Sequence, residues 1–332
     1  MKRTLKRLHD PTWLVLPDDV DRQVEAWRRF RPDMPVDTII GFTGLNAHAL
    51  TLTDSSIPAS SKKALLFVQP HGHEPAQTAG AMDVLSELIT GRRLDGRPTK
   101  LDVATLLQRL VVVINPLGNP DGRSRTPWEV FDHNVDMIEG PYYWSGKLRG
   151  QDFEWMLPAF PPGHFRRSEH DFDPNYPIAL RYEQISEDEY WDPWHEAPAD
   201  LRDNPTSTAR LARTIMNRHK VDAVIDLHQH IQVDNVRLWV AQYQGAAQER
   251  ADRIAQRIED DWARAGFHVA WRLRHQYEHL VRALFEYSGH APIVTVEVGC
   301  GAGYRNAIML RQVQGEACAS AIRSVLNLHA GL

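Results

Sequence analysis

Four short apolar runs constrain this chain most: Ala64-Leu65-Leu66-Phe67-Val68, Leu110-Val111-Val112-Val113-Ile114, Val221-Asp222-Ala223-Val224-Ile225-Asp226-Leu227 and Ile293-Val294-Thr295-Val296-Glu297-Val298. A strand with one wet face alternates apolar and polar residues, whereas an unbroken apolar run belongs to a strand covered on both faces. Between the runs lie segments of helical periodicity. Ala79, Met82, Leu85 and Leu88 mark one, and further helices are expected at about 206–219, 246–265, 278–288 and 304–329. Strands alternating with helices predict an α/β fold with a mixed, mostly parallel central sheet sandwiched between helices. Near the N-terminus, Val20, Val24, Trp27 and Phe30 predict one amphipathic packing helix, with Asp18 and Asp19 as cap candidates.

The polar residues at the ends of these runs suggest chemistry. His71 and Glu74 follow the first run; Pro75 suits a first helical turn and Gly91 a stop. The same His-x-x-acid spacing recurs at His133/Asp136, His170/Asp173 and His275/Glu278, so the spacing alone says little. Context separates the first pair. Ligands of open α/β sheets bind at the carboxyl ends of strands, where His71, Glu74 and His228 all fall. Glu297 lies inside an apolar strand, where an unpaired carboxylate is costly to bury. Two His, one Glu and an open fourth position are how a catalytic zinc is held, with a second carboxylate available as a base.

With these residues, the chain resembles the zinc carboxypeptidases of the carboxypeptidase A type, the funnelin-like metallopeptidases, from about Thr38 onward. Pro70-His71-Gly72-His73-Glu74-Pro75 is close to the family's zinc motif, Asn119-Pro120-Asp121-Gly122 reproduces its turn, His228 matches the third ligand, and Glu297 matches the catalytic Glu. The resemblance implies a carboxypeptidase-like fold and one zinc per chain, held by His71, Glu74 and His228. It also implies hydrolysis of a peptide or amide bond in a small substrate, with Glu297 as general base.

The family's Asp-Leu-Asn-Arg-Asn-Phe-Pro block has its best counterpart in Asp171-Phe172-Asp173-Pro174-Asn175-Tyr176-Pro177, with residues 135–139 as a competing alignment. The resemblance then assigns Asp171 to orient the first zinc His, and Asp173 and Asn175 to touch the substrate. Asp173 and Pro174 stand where the family grips a terminal carboxylate with Asn and Arg, so weak activity on free C-termini is expected. Arg237, Arg272 and Arg274 are candidates to restore a clamp from another direction. Phe165-Arg166-Arg167 resembles the segment whose Arg stabilises the oxyanion, which makes Arg166 the candidate and Arg167 the fallback. Tyr277 is placed as the family's mobile Tyr, with Tyr287 and Tyr243 competing. An aspartoacylase-like N-acyl amino acid amidohydrolase and a non-enzymatic zinc-binding relative are the alternatives.

Composition excludes more than it assigns. A single catalytic domain over 1–332 is expected, with a loop-rich insertion at about 123–205 that holds five of the ten Trp residues. Those aromatics either wall a substrate funnel or anchor the loops. A net charge of −5 gives no broad basic face for nucleic acid. No run is long enough to span a membrane, and no serine-elbow or nucleotide-binding motif occurs. Two Cys make no disulfide framework. With no signal-peptide core after Met1, a cytoplasmic location is expected.

Overall fold

The computed structural model describes residues 12–126, 148–150, 163–173, 175, 180–195, 197–230, 236–270, 272–275, 279–299 and 307–332; for 230, 275, 279 and 307–312 the backbone alone is described. Among the expected residues, Pro174 and Tyr277 lie outside this set, as do Trp128, Trp144 and Trp155.

The four apolar runs become four adjacent parallel strands. In chain order, the large sheet contains β1 (Val36–Ile40), β2 (Asn46–Leu52), β3 (Lys63–Val68), β4 (Leu110–Ile114), β8 (Val221–His230), β9 (Val236–Ala241), β10 (Leu273–His275) and β11 (Ile293–Gly299). Their spatial order is β1-β2-β4-β3-β8-β11-β9-β10. The central β4, β3, β8 and β11 run parallel, as do β9 and β10, while β1/β2, β2/β4 and β9/β11 are antiparallel. This is the mixed, mostly parallel sheet the sequence predicts.

Helices cover both faces. α2 (Pro75–Thr90), α6 (Ala246–Arg264) and α8 (Ala307–Ala330) pack together on one side; α5 (Ser207–Arg218) and α7 (His279–Tyr287) cover the other. Residues 64–68 are buried throughout, which is why that strand shows no alternation. Truncating Phe67 to Ala in such a core costs about 3–5 kcal/mol. Gly91 ends α2 in the left-handed conformation, φ 71°. The N-terminal helix α1 (Pro17–Phe30) buries Val20, Val24 and Trp27, but Phe30 is 64% exposed, and neither Asp18 nor Asp19 caps it; both sit in its first turn.

The stretch expected to be loop-rich contains a second sheet. β5 (His164–Arg166), β6 (Glu183–Gln184) and β7 (Glu189–Trp191) pair antiparallel in the order β5-β7-β6 around Phe165, Tyr182 and Tyr190. Two short helices, α3 (Val103–Arg109) and α4 (Pro120–Arg125), flank β4.

Candidate metal centre

The chain leaves β3 at Val68 and turns so that His71 and Glu74 face each other before α2 begins at Pro75. Glu74 N–H donates to the His71 carbonyl (3.4 Å), and the Gln69 side-chain amide donates to that same oxygen, closing the turn. Gly72 is required at its apex because a Cβ there would fall on the backbone of Gly122 and Arg123. Arg123, fully buried, donates to the carbonyls of Gly72 and Val15 and to Thr78. Burial pushes its guanidinium down to about 9, with Glu74 opposing.

β8 supplies the other side. Asp226 and His228 alternate onto one face of the strand, and the parallel register sets Glu297 of β11 beside His228 and Thr295 beside Asp226. The potential ligand atoms of His71, Glu74 and His228 all lie within 4.8 Å of one another, and all three residues are buried. His71 Nδ1 is 2.9 Å from Glu74 Oε1, and His228 Nδ1 is 3.3 Å from Glu74 Oε2. The latter contact lacks hydrogen-bond geometry, so Oε2 is a buried acceptor without a donor.

The far nitrogen of each imidazole meets a carboxylate. His228 Nε2 is 3.0 Å from Asp226 Oδ1, and His71 Nε2 is 3.4 Å from Asp192 Oδ1. Such partners fix the tautomer that leaves Nδ1 free to ligate. Asp226 also accepts from Trp194 Nε1 (2.7 Å) and Thr295 Oγ1 (3.2 Å). A buried donor set of two imidazoles and one carboxylate, with both outer nitrogens restrained and one carboxylate oxygen orphaned, fits a zinc ion. A second group, His71, Asp192 and His195, also converges, but its carboxylate is committed to the backbone N–H groups of Trp194 and His195 and to the His195 ring.

Charges in the cluster compensate one another. Burial raises the Glu74 carboxyl, but His71 and His228 outweigh it and hold the group well below the carboxylate range. Burial lowers His228, and Asp226 and Glu74 outweigh it in the opposite sense. Glu297 differs: burial dominates and lifts it to about 7, with His228 and Arg237 opposing and Glu74 reinforcing.

The remaining expected site residues lie elsewhere. Asp171 is 72% exposed and paired with Arg149 at 3.1 Å; the carboxylate beside His71 is Asp192. Asp173 accepts from the backbone and side chain of Asn175 in an exposed local turn. Arg166, 55% exposed, faces Glu189 across the β5/β7 pair at 3.4 Å. Among the described residues, none of these four touches His71, Glu74, His228 or Glu297.

On the Asp192 side the cluster is reached by Arg181, whose Nε lies 3.2 Å from Asp192 Oδ2 and whose charge acts on His73 and His195. The Asn119-Pro120-Asp121-Gly122 turn holds it there. Asn119 Nδ2 donates to the Arg181 carbonyl (3.1 Å), and Asp121 accepts from Gln184 N–H (2.8 Å). Sequence reasoning missed Asp192 and Arg181. The available signal was the His three residues after Asp192; placing Asp192 at the orienting position sets Trp194 and His195 where the resemblance puts Asn and Arg. Trp194 packs against the His228 ring at 5.1 Å and His195 stacks on His71 at 5.4 Å.

No protein-family model matches the chain, and no curated protein matches it in sequence. Solved structures do match in fold. Carboxypeptidase A from Helicoverpa armigera aligns with 99% of this chain and 77% of its own at TM-score 0.58 and 12% identity. Thrombin activatable fibrinolysis inhibitor aligns with 97% and 78% at TM-score 0.59 and 13% identity. A metallo-carboxypeptidase from Pseudomonas aeruginosa, in complex with (2-guanidinoethylmercapto)succinic acid, aligns with 94% and 69% at TM-score 0.53 and 15% identity. The chain has the carboxypeptidase-like fold. Among its described residues no helix is long and apolar enough to cross a membrane.

Proposed function

We propose that this chain is a single-domain zinc-dependent hydrolase that cleaves a peptide or amide bond. The observation that carries the reading is the buried His71-Glu74-His228 set beside Glu297, a carboxyl whose pKa stands near 7. A zinc ion held there would supply Lewis acidity and a nucleophile near neutral pH.

The chain's residues do the rest. Glu297, adjacent to His228 in the strand register, takes the proton of the attacking water and returns it to the leaving nitrogen. Asp192 and Asp226 keep the imidazoles oriented. The oxyanion role that resemblance assigned to Arg166 passes in this reading to Arg181, because Arg166 is exposed and paired with Glu189.

The test is metal analysis of wild type and of His71→Ala, Glu74→Ala and His228→Ala, alongside a screen of peptides, blocked peptides and N-acyl amino acids. We expect about one zinc in the wild type and loss in each variant, because two remaining ligands make a poor site. Full zinc occupancy in His228→Ala would overturn the assignment.

A further inference from the structure

We propose that Arg237 selects the substrate by gripping a carboxylate on the molecule whose amide bond is cleaved, an inference that rests on the hydrolase reading above. Arg237 lies on β9 directly opposite Glu297 on β11. Residues directly opposite in an antiparallel pair project from the same face with Cβ atoms about 4.5–5.5 Å apart. A clamp from the aligned block is therefore unnecessary: a guanidinium already stands next to the proposed general base.

Two opposite charges on neighbouring strands would ordinarily close on each other. These do not. Arg237 Nε and Glu297 Oε2 are both buried and both lack a hydrogen-bond partner, and no ion pair links the two residues. Each leaves a polar atom for something else to satisfy, and burying such atoms without partners is unfavourable. The Arg237 guanidinium is instead steadied by Trp239, two residues along the same face, with Cζ 5.4 Å from the ring centroid.

Other arginines of the region have other partners. Arg272 is bound to Glu259 and Asp252, and Arg274 to Asp252. Arg181 is ion-paired with Asp192 and is given the oxyanion role in the hydrolase reading. Among the described residues Arg237 has no carboxylate salt-bridged to it, and its planar fork matches a carboxylate with two parallel N–H donors. This reverses the expectation of weak activity on free C-termini, which rested on Asp173 and Pro174.

The experiment compares an N-acyl dipeptide with its C-terminal amide, using wild type, Arg237→Gln and Arg237→Lys. Calorimetric binding of N-acetylphenylalanine and its amide to the metal-free proteins is measured in parallel. Wild type should prefer the acid, and Arg237→Gln should lose about 10- to 100-fold on the acid, mostly in KM, while the amide changes by less than about threefold. Arg237→Lys should recover part of the loss. Equal losses on acid and amide would make Arg237 a charge balancer for Glu297 and overturn the proposal, as would a wild-type preference for the amide. If nothing is turned over, the hydrolase reading fails, but calorimetry still decides: acid-selective binding lost in Arg237→Gln supports the carboxylate grip, and unchanged or absent selectivity overturns it.

Discussion

Asp192 and Asp171 stand in similar sequence surroundings, each among aromatic residues and close to a proline, yet the fold treats them in opposite ways. The Asp192 side chain is 0% exposed and that of Asp171 is 72% exposed. Asp171 has one partner, Arg149, and water for the rest. Asp192 must find its partners in the protein, and does so in the backbone N–H groups of Trp194 and His195, the rings of His195 and His71, and an ion pair with Arg181. Burial raises its carboxyl, but His195, His71 and Arg181 outweigh that and hold it well below the usual range. A buried carboxylate is thereby wired to its neighbours, and one neighbour is the candidate metal ligand His71. An exposed one is wired to little.

If this contrast governs the molecule, changes at buried carboxylates should dominate changes at exposed ones. The largest effect is expected at Glu297, where Glu297→Gln keeps shape but cannot accept a proton. Turnover should fall by about 10²- to 10⁴-fold with zinc content unchanged. Steady-state kinetics with metal analysis checks this, and near-wild-type turnover would assign the proton transfer to another residue.

Asp192→Asn should come next. Removing the charge behind a ligating imidazole typically costs about 10- to 100-fold in metal affinity, measured by competition with a chelator. Affinity unchanged in Asp192→Asn but reduced in Asp171→Asn would invert the comparison.

A third test uses a buried carboxylate away from the metal. Glu183 accepts from the Ser207 backbone N–H (2.8 Å) and hydroxyl, and burial raises it to about 7, with Ser207 opposing. Its pKa in the folded state lies above the ordinary 4.5 of a free glutamate, so the folded state holds the proton more tightly. The contribution of Glu183 to stability therefore declines as pH rises from about 4.5 to 7 and levels off above. Glu183→Gln should flatten this slope by the Glu183 share, gaining on wild type across that window by an amount on the order of 3 kcal/mol or less, while the share of Glu297 remains. Denaturant melts at pH 5, 6, 7 and 8 read it directly; parallel curves for the two proteins would contradict it.

The smallest effects belong to the exposed pairs. Arg166→Gln and Asp171→Asn should each change stability by about 1 kcal/mol or less, since exposed ion pairs contribute little. Turnover should change by less than about twofold, as expected for groups that touch none of the metal-site residues. A large kinetic loss in Arg166→Gln would restore the oxyanion role first assigned to it.

Much of the sheet was legible in the chain because the signal is local. A strand covered by helices on both faces reads as an unbroken apolar run, so β3, β4, β8 and β11 announced themselves. The three candidate ligands and Glu297 were legible for a related reason: polar groups at or inside such runs are costly unless a site uses them. The small β5-β7-β6 sheet was not legible, since its strands are two or three residues long and carry no measurable period.

What the sequence determined by itself was the set of buried strands and which polar groups stand at their carboxyl ends. What the tertiary structure decided was which distant groups serve that chemistry. Asp192 meets His71 across 121 residues, Arg181 is held by the Asn119 turn, and Arg237 faces Glu297 through the register of two strands that are not consecutive in the chain. Spacing along a chain encodes which residues share a helix face or strand face. Whether a carboxylate is dry, and which donors must then surround it, depends on how the elements close over it in space.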